Sequence, residues 1–555
     1  MHAAALFRRG SVLKRNAAGG CDGAPARTAS QRAEVPTARD NEGLAAALSM
    51  VFWLAIGLNY LTIGIDDSQG DMRKTKIICT LGPASHSEDV IGQLLDAGMN
   101  AVRLNFSHGE HAHHAESVAT VRRAAEKRNR MIPIIADLQG PKIRTGKLEG
   151  GEAVRLTAGD SVRLTSEPRL GTAETVPIDY PTLAEDVGPG DRVLLSDGAI
   201  ELQVSKLDGP DVICSIVTGG LLGERKGVNV PSATLKLPSI TEKDKADLHF
   251  ALGQQVDYIA LSFVRSAEDV RKGRDLVRGE GSDAQIIAKL EKPQALSDLT
   301  AILDTADAVM VARGDLGVEL SPWKVPIEQK RIIEEAAEAR KPVITATQML
   351  ESMINSRSPT RAEASDIANA VLDGSDALML SGETAVGKYP AESVQMMTRI
   401  IETAETKLER KPLKLHPFQG TNEDMSDAVA RSATQLAEHL NARYLVVYSE
   451  SGYTARLVSK YRPSCSIVGL SRHQPVCQRM KLLWGVRSKV IEQVYGIDHL
   501  VMVTEAMLLK LKWVEKGDLI CVVAGTPFQI AGKTDLLKLH RIGEDASSGL
   551  ELDIS

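Results

Sequence analysis

From Thr75 onward, short apolar runs alternate with longer stretches in which apolar residues recur at helical spacing, the pattern of a parallel α/β sheet. Eight runs read as strands, over residues 76–80, 101–106, 133–138, 256–263, 285–290, 308–313, 342–348 and 377–381, with helices in most of the gaps, for example 327–340 and 360–372. Eight such pairs predict a closed (β/α)8 TIM barrel, whose chemistry belongs at the carboxyl ends of its strands.

The spacing breaks after the third run. Between Gly140 and Pro238 the period becomes two (Val154, Leu156; Val162, Leu164; Val193, Leu195; Ile200, Leu202, Val204), with turns at Gly159-Asp160 and Pro189-Gly190-Asp191. This predicts an inserted β-barrel domain, leaving the catalytic face and able to close over it as a lid that excludes water. Beyond the eighth barrel helix, a linker at 411–422 carries Pro412, Pro417 and Gly420, and a further α/β alternation follows. The expected domains are therefore 72–141 with 238–410 for the barrel, 142–237 for the lid, and 411–555 for a carboxyl-terminal α/β domain.

Residues 1–71 read differently. Residues 1–43 are rich in Ala, Arg and Gly without period, and Leu44 to Ile65 are 22 residues with no charged side chain, long enough to span a membrane. Met72-Arg73-Lys74 just before the first run looks like a natural start of translation, so residues 1–71 are expected to be an upstream extension outside the functional protein, with an anchor or targeting segment as the other readings.

A formal net charge of -6 gives no electrostatic footprint for nucleic acid, so small molecules are the expected partners. Six cysteines without CxxC spacing fit buried free thiols in a reducing compartment, the cytoplasm, and argue against structural zinc.

The chemistry concentrates at run ends. Ile286-Ile287-Ala288-Lys289-Leu290-Glu291 and Ala308-Val309-Met310-Val311-Ala312-Arg313-Gly314-Asp315 would bring one cation, Lys289, and two carboxylates, Glu291 and Asp315, to one rim. Two carboxylates suit Mg²⁺ meeting a substrate phosphate, and a lysine can offset charge on a migrating phosphoryl group. A structural ion pair is the bland alternative. Gly314 and Gly317 let backbone N–H groups approach an anion, and Thr347 adds a hydroxyl. Arg103-Leu104-Asn105-Phe106-Ser107-His108-Gly109 ends the second run with groups suited to phosphate or a monovalent ion, although Ser107 would also cap a helix. Asp137-Leu138-Gln139-Gly140-Pro141-Lys142-Ile143-Arg144 lies at the mouth of the insertion, where a Gly-Pro pair is also ordinary hinge punctuation.

With these motifs, residues 72 to about 545 resemble the pyruvate kinase family, most specifically in Thr80-Leu81-Gly82-Pro83-Ala84-Ser85, Arg103 to Gly109, Ala288 to Lys292, Met310 to Glu319 and Ala346-Thr347-Gln348-Met349-Leu350-Glu351-Ser352. The resemblance implies phosphoryl transfer from phosphoenolpyruvate to ADP, giving pyruvate and ATP. It implies Mg²⁺, with Mn²⁺ as an alternative, on Glu291 and Asp315. Arg103 and Lys289 would meet the phosphoryl group, the Gly314 and Asp315 backbone the substrate carboxylate, and Thr347 a proton. Nucleotide would contact Asn105, His108, Arg144 and Lys226, the carboxyl-terminal α/β domain resembles the family's allosteric, regulatory domain, and the subunits would form a homotetramer.

Potassium-requiring members read Asp-Thr-Lys-Gly-Pro-Glu where this chain has Asp137-Leu138-Gln139-Gly140-Pro141-Lys142. Lys142 would place a tethered ammonium in the monovalent-ion region of Asn105, Ser107, Asp137 and Leu138, so K⁺ is not expected to be required. Ser449-Glu450-Ser451-Gly452-Tyr453-Thr454 has hydroxyls and N–H groups fit to cradle an effector phosphate, an N-cap being the bland reading. The later loop 525–532 lacks the Trp- and Gly-rich character of sugar-bisphosphate-activated members, which favours a sugar monophosphate or AMP. The competing enzymatic reading is a Mg²⁺-dependent lyase or aldolase acting on pyruvate or phosphoenolpyruvate; the inserted domain and Lys226 argue against it.

Overall fold

The computed structural model describes residues 73–233, 236–408, 422–528 and 530–544. Residues 1–71, including the apolar stretch at 44–65, and nearly all of the expected linker lie outside them. Among the described residues no helix is long and apolar enough to cross a membrane.

All eight predicted runs are strands of one closed parallel barrel: Lys76–Thr80, Ala101–Asn105, Ile134–Asp137, Tyr258–Leu261, Gln285–Leu290, Ala308–Ala312, Val343–Ala346 and Ala377–Leu380. They read so plainly because a parallel strand is covered on both faces and is apolar throughout. Side chains alternate between the barrel interior and the surrounding helices. Ile78, Ile135, Ile287, Met310, Ile344 and Met379 fill the interior, and the next inward positions upward deliver Thr80, Arg103, Asp137, Ser262 and Lys289 to the upper rim.

The lower rim repeats one device. The polar residue just before each even-numbered strand accepts the first free N–H of the preceding odd one: Asn100 from Ile77 at 2.9 Å, Asp257 from Ile134 at 2.8 Å, Asp307 from Ile286 at 2.8 Å and Asp376 from Val343 at 2.8 Å. Four otherwise orphaned donors are thus satisfied where the barrel ends. Burial raises the Asp257 carboxyl to about 6.

The inserted domain is a seven-stranded sheet whose edge strands, Ile143–Arg144 and Thr175–Pro177, are joined by the single bridge Thr145–Ile178, beside a small two-stranded sheet, Val154–Leu156 with Gly220–Leu222. Its exit is fixed at Gly140, whose φ is 71° and whose added Cβ would lie 2.9 Å from the Ser262 Cβ. Its N–H donates at 2.9 Å to Asp244, which closes a capping box with Thr241, the N-cap of the helix Glu242–Gly253.

The carboxyl-terminal domain is a five-stranded sheet in which Val486–Val490, Ser466–Ser471, Tyr444–Tyr448 and Leu519–Ala524 are parallel and Leu536–Arg541 is antiparallel at the edge. It closes the lower mouth of the barrel. Leu482 joins the interior cluster, Lys76 Nζ donates to the Val486 carbonyl at 2.9 Å, and the Asp376 carboxylate faces Lys460 at 2.5 Å and Arg462 at 3.1 Å.

Candidate active site

The fifth strand ends by projecting Lys289 and Glu291 inward. Lys289 Nζ lies 3.1 Å from Asp137 Oδ1 and 3.0 Å from Glu291 Oε1, and donates to Ser262 Oγ at 2.7 Å. Burial alone would lower this ammonium, but the Asp137 and Glu291 carboxylates outweigh it and raise it above its ordinary value. Asp137 is shared. Its Oδ2 accepts Arg103 Nε at 2.6 Å, while Arg103 Nη1 donates to Thr80 Oγ1 at 3.1 Å, which fixes the plane of the guanidinium. Burial opposes the Asp137 charge, yet Lys289 and Arg103 hold its carboxyl below the usual range.

Glu291 is 0% exposed. One oxygen, Oε2, accepts the Phe263 N–H at 2.7 Å. The other faces Lys289 but receives no hydrogen bond of acceptable direction. Burial raises this carboxyl, Lys289 pulls it down, and the nearby Asp315 charge pushes it up again. A divalent cation fits here: it would meet the orphaned oxygen, offset the repulsion with half-buried Asp315, and relieve the cost of burying two like charges. Among the described residues no group of three or more His, Cys, Asp or Glu side chains could hold a metal, so a cation on this pair would draw its other ligands from water and substrate.

Thr347 was expected inside the seventh strand, but the strand stops at Ala346, and Thr347 and Gln348 take φ of 71° and 55°. A β-branched residue at positive φ is strained. It is held because Thr347 Oγ1 accepts the Gly314 N–H at 2.8 Å and donates to the Ala346 carbonyl at 2.6 Å, and because Arg313 binds the Thr347 carbonyl at 2.7 Å while pairing with Asp366. The Gly314 N–H is therefore engaged within the chain. A Cβ at 314 would meet the Thr347 side chain, its hydroxyl at 3.5 Å and its Cβ and Cγ2 at 3.7 and 3.8 Å, all ordinary contacts; among the described residues no neighbour demands a glycine there.

Around this core, Asn105 Oδ1 accepts the Ser107 N–H at 3.1 Å. Ser107 does not cap the next helix, His111–Glu126, which starts after Glu110. Desolvation, then the charges of Arg144, Lys142 and Arg103, hold the His108 ring below its usual pKa. Arg144 Nη1 donates to the Arg225 carbonyl at 3.3 Å, and the Lys226 backbone pairs with Thr145. Among the described residues the side chains of Lys142, Arg144 and Lys226 have no carboxylate partner, leaving positive charge on the lid side of the rim. Leu138 is buried and contributes its carbonyl to Ser262 at 2.7 Å. Ser262 and Phe263 touch Lys289 and Glu291 without any sign of it in the sequence, because the apolar run 256–263 marks a strand interior and hides its polar end; Thr80 stands in the Thr80 to Ser85 motif, but its contact with Arg103 is visible only in the fold.

The segment predicted to cradle an effector phosphate is a turn. Ser449 Oγ accepts the Gly452 N–H at 3.0 Å, Gly452 has φ of 83°, and the helix Tyr453–Lys460 begins there. Thr454 is buried against Thr534, Oγ1 to Oγ1, at 2.8 Å. Ser451, Gly452 and Tyr453 line a cavity of about 310 Å³, shared with Arg456, Arg479 and the lower barrel rim at Tyr258 and Asp307.

Residues 72–394 match the model of the pyruvate kinase barrel domain and residues 427–540 that of the pyruvate kinase alpha/beta domain. Pyruvate kinase of Geobacillus stearothermophilus is 43% identical over 482 residues, covering 86% of this chain and 82% of the relative. That of Corynebacterium glutamicum is 45% identical over 473 residues, covering 85% and 98%. The crystal structure of a pyruvate kinase from Cryptosporidium parvum superimposes with a TM-score of 0.78 at 37% identity, covering 85% of this chain and 96% of that one. With a rim built from the motifs that carry the resemblance and a match running through both the barrel and the carboxyl-terminal domain, this chain belongs to the pyruvate kinase family.

Proposed function

We propose that the chain transfers the phosphoryl group of phosphoenolpyruvate to ADP, releasing pyruvate and ATP, with Mg²⁺, or Mn²⁺ in its place, held by Glu291 and Asp315. The observation that carries this reading is the buried rim in which Lys289 and Arg103 share Asp137 beside a carboxylate with an orphaned oxygen. Bound there, the cation would offset charge on the migrating phosphoryl group and orient its oxygens.

Lys289 and Arg103, already fixed by Asp137, Ser262 and Thr80, face the phosphoryl group from the barrel side and stabilise the charge that spreads over its oxygens. The terminal phosphate oxygen of ADP attacks the phosphorus in line as the bond to the enol oxygen breaks. The enolate left behind takes a proton at its methylene carbon through water at the Thr347 hydroxyl. The substrate carboxylate is assigned to the Gly314 and Asp315 backbone, where the Gly314 N–H must turn from Thr347 or share its proton. Asn105, His108, Arg144 and Lys226 are assigned to the nucleotide, and lid closure would exclude the water that otherwise hydrolyses the transferring group.

Lys142 is assigned the role that a bound K⁺ would otherwise fill near Asn105, Ser107, Asp137 and Leu138. The turn at Ser449 to Thr454 is assigned to a phosphorylated activator, a sugar monophosphate or AMP; the adjoining cavity is in the range of small-molecule sites. The working form is proposed to be a homotetramer in the cytoplasm. Steady-state assay of pyruvate formation from phosphoenolpyruvate and ADP tests the reading. Turnover is expected with Mg²⁺ in buffer free of K⁺ and Na⁺, and negligible turnover rescued by K⁺ would remove the role given to Lys142.

The nucleotide assignment makes a separate prediction. Neighbouring cations help depress His108, so an anion bound among them should cancel part of that field and raise the titration midpoint of the ring. Following the His108 ring by NMR as pH varies, with and without ADP, checks this; an unmoved midpoint would place the phosphates elsewhere.

A further inference from the structure

Outside the rim, one side chain connects the lid to both proposed metal ligands. Glu319 ends the short helix Arg313–Glu319, one turn beyond Asp315, so the two carboxylates share a helix face. It is 5% exposed. Its Oε1 accepts Lys292 Nζ at 2.5 Å, and Lys292 directly follows Glu291. The same oxygen accepts Asn229 Nδ2 at 2.7 Å. Asn229 closes the lid strand Gly227–Asn229, three residues beyond Lys226, and this strand pairs Gly227 with Arg144. Beside the link, Lys142, Asn229, Phe263, Arg265 and Lys292 line a cavity. The seam between lid and barrel is thus partly unfilled here, and a discrete polar link spans it.

Phe263 extends the connection. Lys292 lies over its ring at 5.7 Å, its φ is 55°, and its N–H holds Glu291 Oε2. The loop bearing Glu291 and the helix bearing Asp315 are stapled by Lys292 and Glu319, and the lid enters that staple through one amide. We propose that Glu319 is a positioning residue that couples the lid to the spacing of the Glu291 and Asp315 carboxylates, so that nucleotide on the lid tightens the cation and the cation tightens nucleotide. Thermodynamic linkage requires the two effects to be equal. The inference rests on the assignment of nucleotide to the lid and of the cation to this carboxylate pair.

The test uses the full chain and Mn²⁺ alone as probe, its binding followed by electron paramagnetic resonance with and without ADP. In the parent, ADP is expected to tighten Mn²⁺. Asn229→Ala should leave Mn²⁺ affinity without ADP unchanged, abolish most of the tightening, and raise the KM for ADP by roughly tenfold to a hundredfold, the effect of losing one hydrogen bond to a charged group. Glu319→Gln should weaken Mn²⁺ both with and without ADP. Asn229→Asp, which sets a second carboxylate against Glu319, should lose the coupling more completely than Asn229→Ala. It also serves as the second variant should either of the others melt early. Full ADP coupling in folded Asn229→Ala and Asn229→Asp would overturn the proposal, as would Glu319→Gln with parental Mn²⁺ affinity. A parent that forms no pyruvate from phosphoenolpyruvate and ADP would instead overturn the functional reading beneath it.

Discussion

Lys289→Met is expected to lower kcat by about 10³-fold or more, the scale of removing a cation from a phosphoryl-transfer transition state. Its ammonium bridges Asp137 and Glu291 within 3.1 Å and anchors on Ser262, so no other residue can slide into its place. The same change leaves the buried Asp137 carboxylate paired with Arg103 alone and the buried Glu291 carboxylate without a cation. A loss of about 3–5 kcal/mol of stability is expected from an uncompensated buried charge. The two effects separate experimentally: single-turnover rates are measured well below the variant's melting temperature, with circular dichroism reporting the fold. Lys289→Arg keeps the charge and should recover stability more fully than rate, because a planar fork cannot take the ammonium's position between three oxygens. A folded Lys289→Met variant within tenfold of the parent would remove Lys289 from the chemistry.

Asp376→Asn is expected to be the most destabilising conservative change at the lower rim, by about 3–5 kcal/mol. The carboxylate faces Lys460 and Arg462 while capping the Val343 N–H; Asp376 and Lys460 are nearly inaccessible and Arg462 is partly buried. The amide can still accept from Val343, so the loss is one of charge. Burial already pushes the Lys460 ammonium down to about 8 in the parent, and without Asp376 it falls further. The sign follows from proton counts: below its folded pKa the lysine is protonated in both states, and above it the unfolded chain holds the extra proton, so stability rises with pH. That rise starts at lower pH in the variant. The deficit should therefore narrow as pH is raised toward 8 and stay constant above it, as measured by urea denaturation, with the first transition taken where unfolding is not two-state. A pH-independent deficit would show that Lys460 stays charged.

Which parts of this were visible in the chain depends on the number of faces each element buries. The barrel strands are covered on both faces, and Gln285–Leu290 and Lys76–Thr80 were delimited to the residue. Val486–Val490 and Leu536–Arg541 are edge strands of the last sheet and were missed. In the first, Arg487 and Lys489 interrupt the apolar run, although both lie over the Trp513 ring at 5.3 and 5.7 Å. Lys289, Glu291 and Asp315 were legible because charge at the end of an apolar strand is costly and hence conspicuous. Ser262, Glu319 and Asn229 were not. A serine after Leu261 and an asparagine in a lid strand are ordinary residues until the fold brings Ser262 within 2.7 Å of Lys289 and Asn229 within 2.7 Å of Glu319, and no local period encodes a meeting across such separations.

The plug at the lower barrel mouth has a consequence for how the molecule is made. Lys76 in the first strand awaits a carbonyl 410 positions later, and Leu482 fills a space lined by strands that leave the ribosome long before it. A nascent chain that stops after its eighth strand would carry a barrel with an open, apolar floor and Asp376 without its lysine and arginine. Such high-separation contacts slow folding and leave a sticky intermediate during synthesis. Completion of the barrel is therefore timed by the carboxyl-terminal domain, and ribosome-bound chains arrested near residue 410 should depend more heavily on chaperones than those arrested after residue 490.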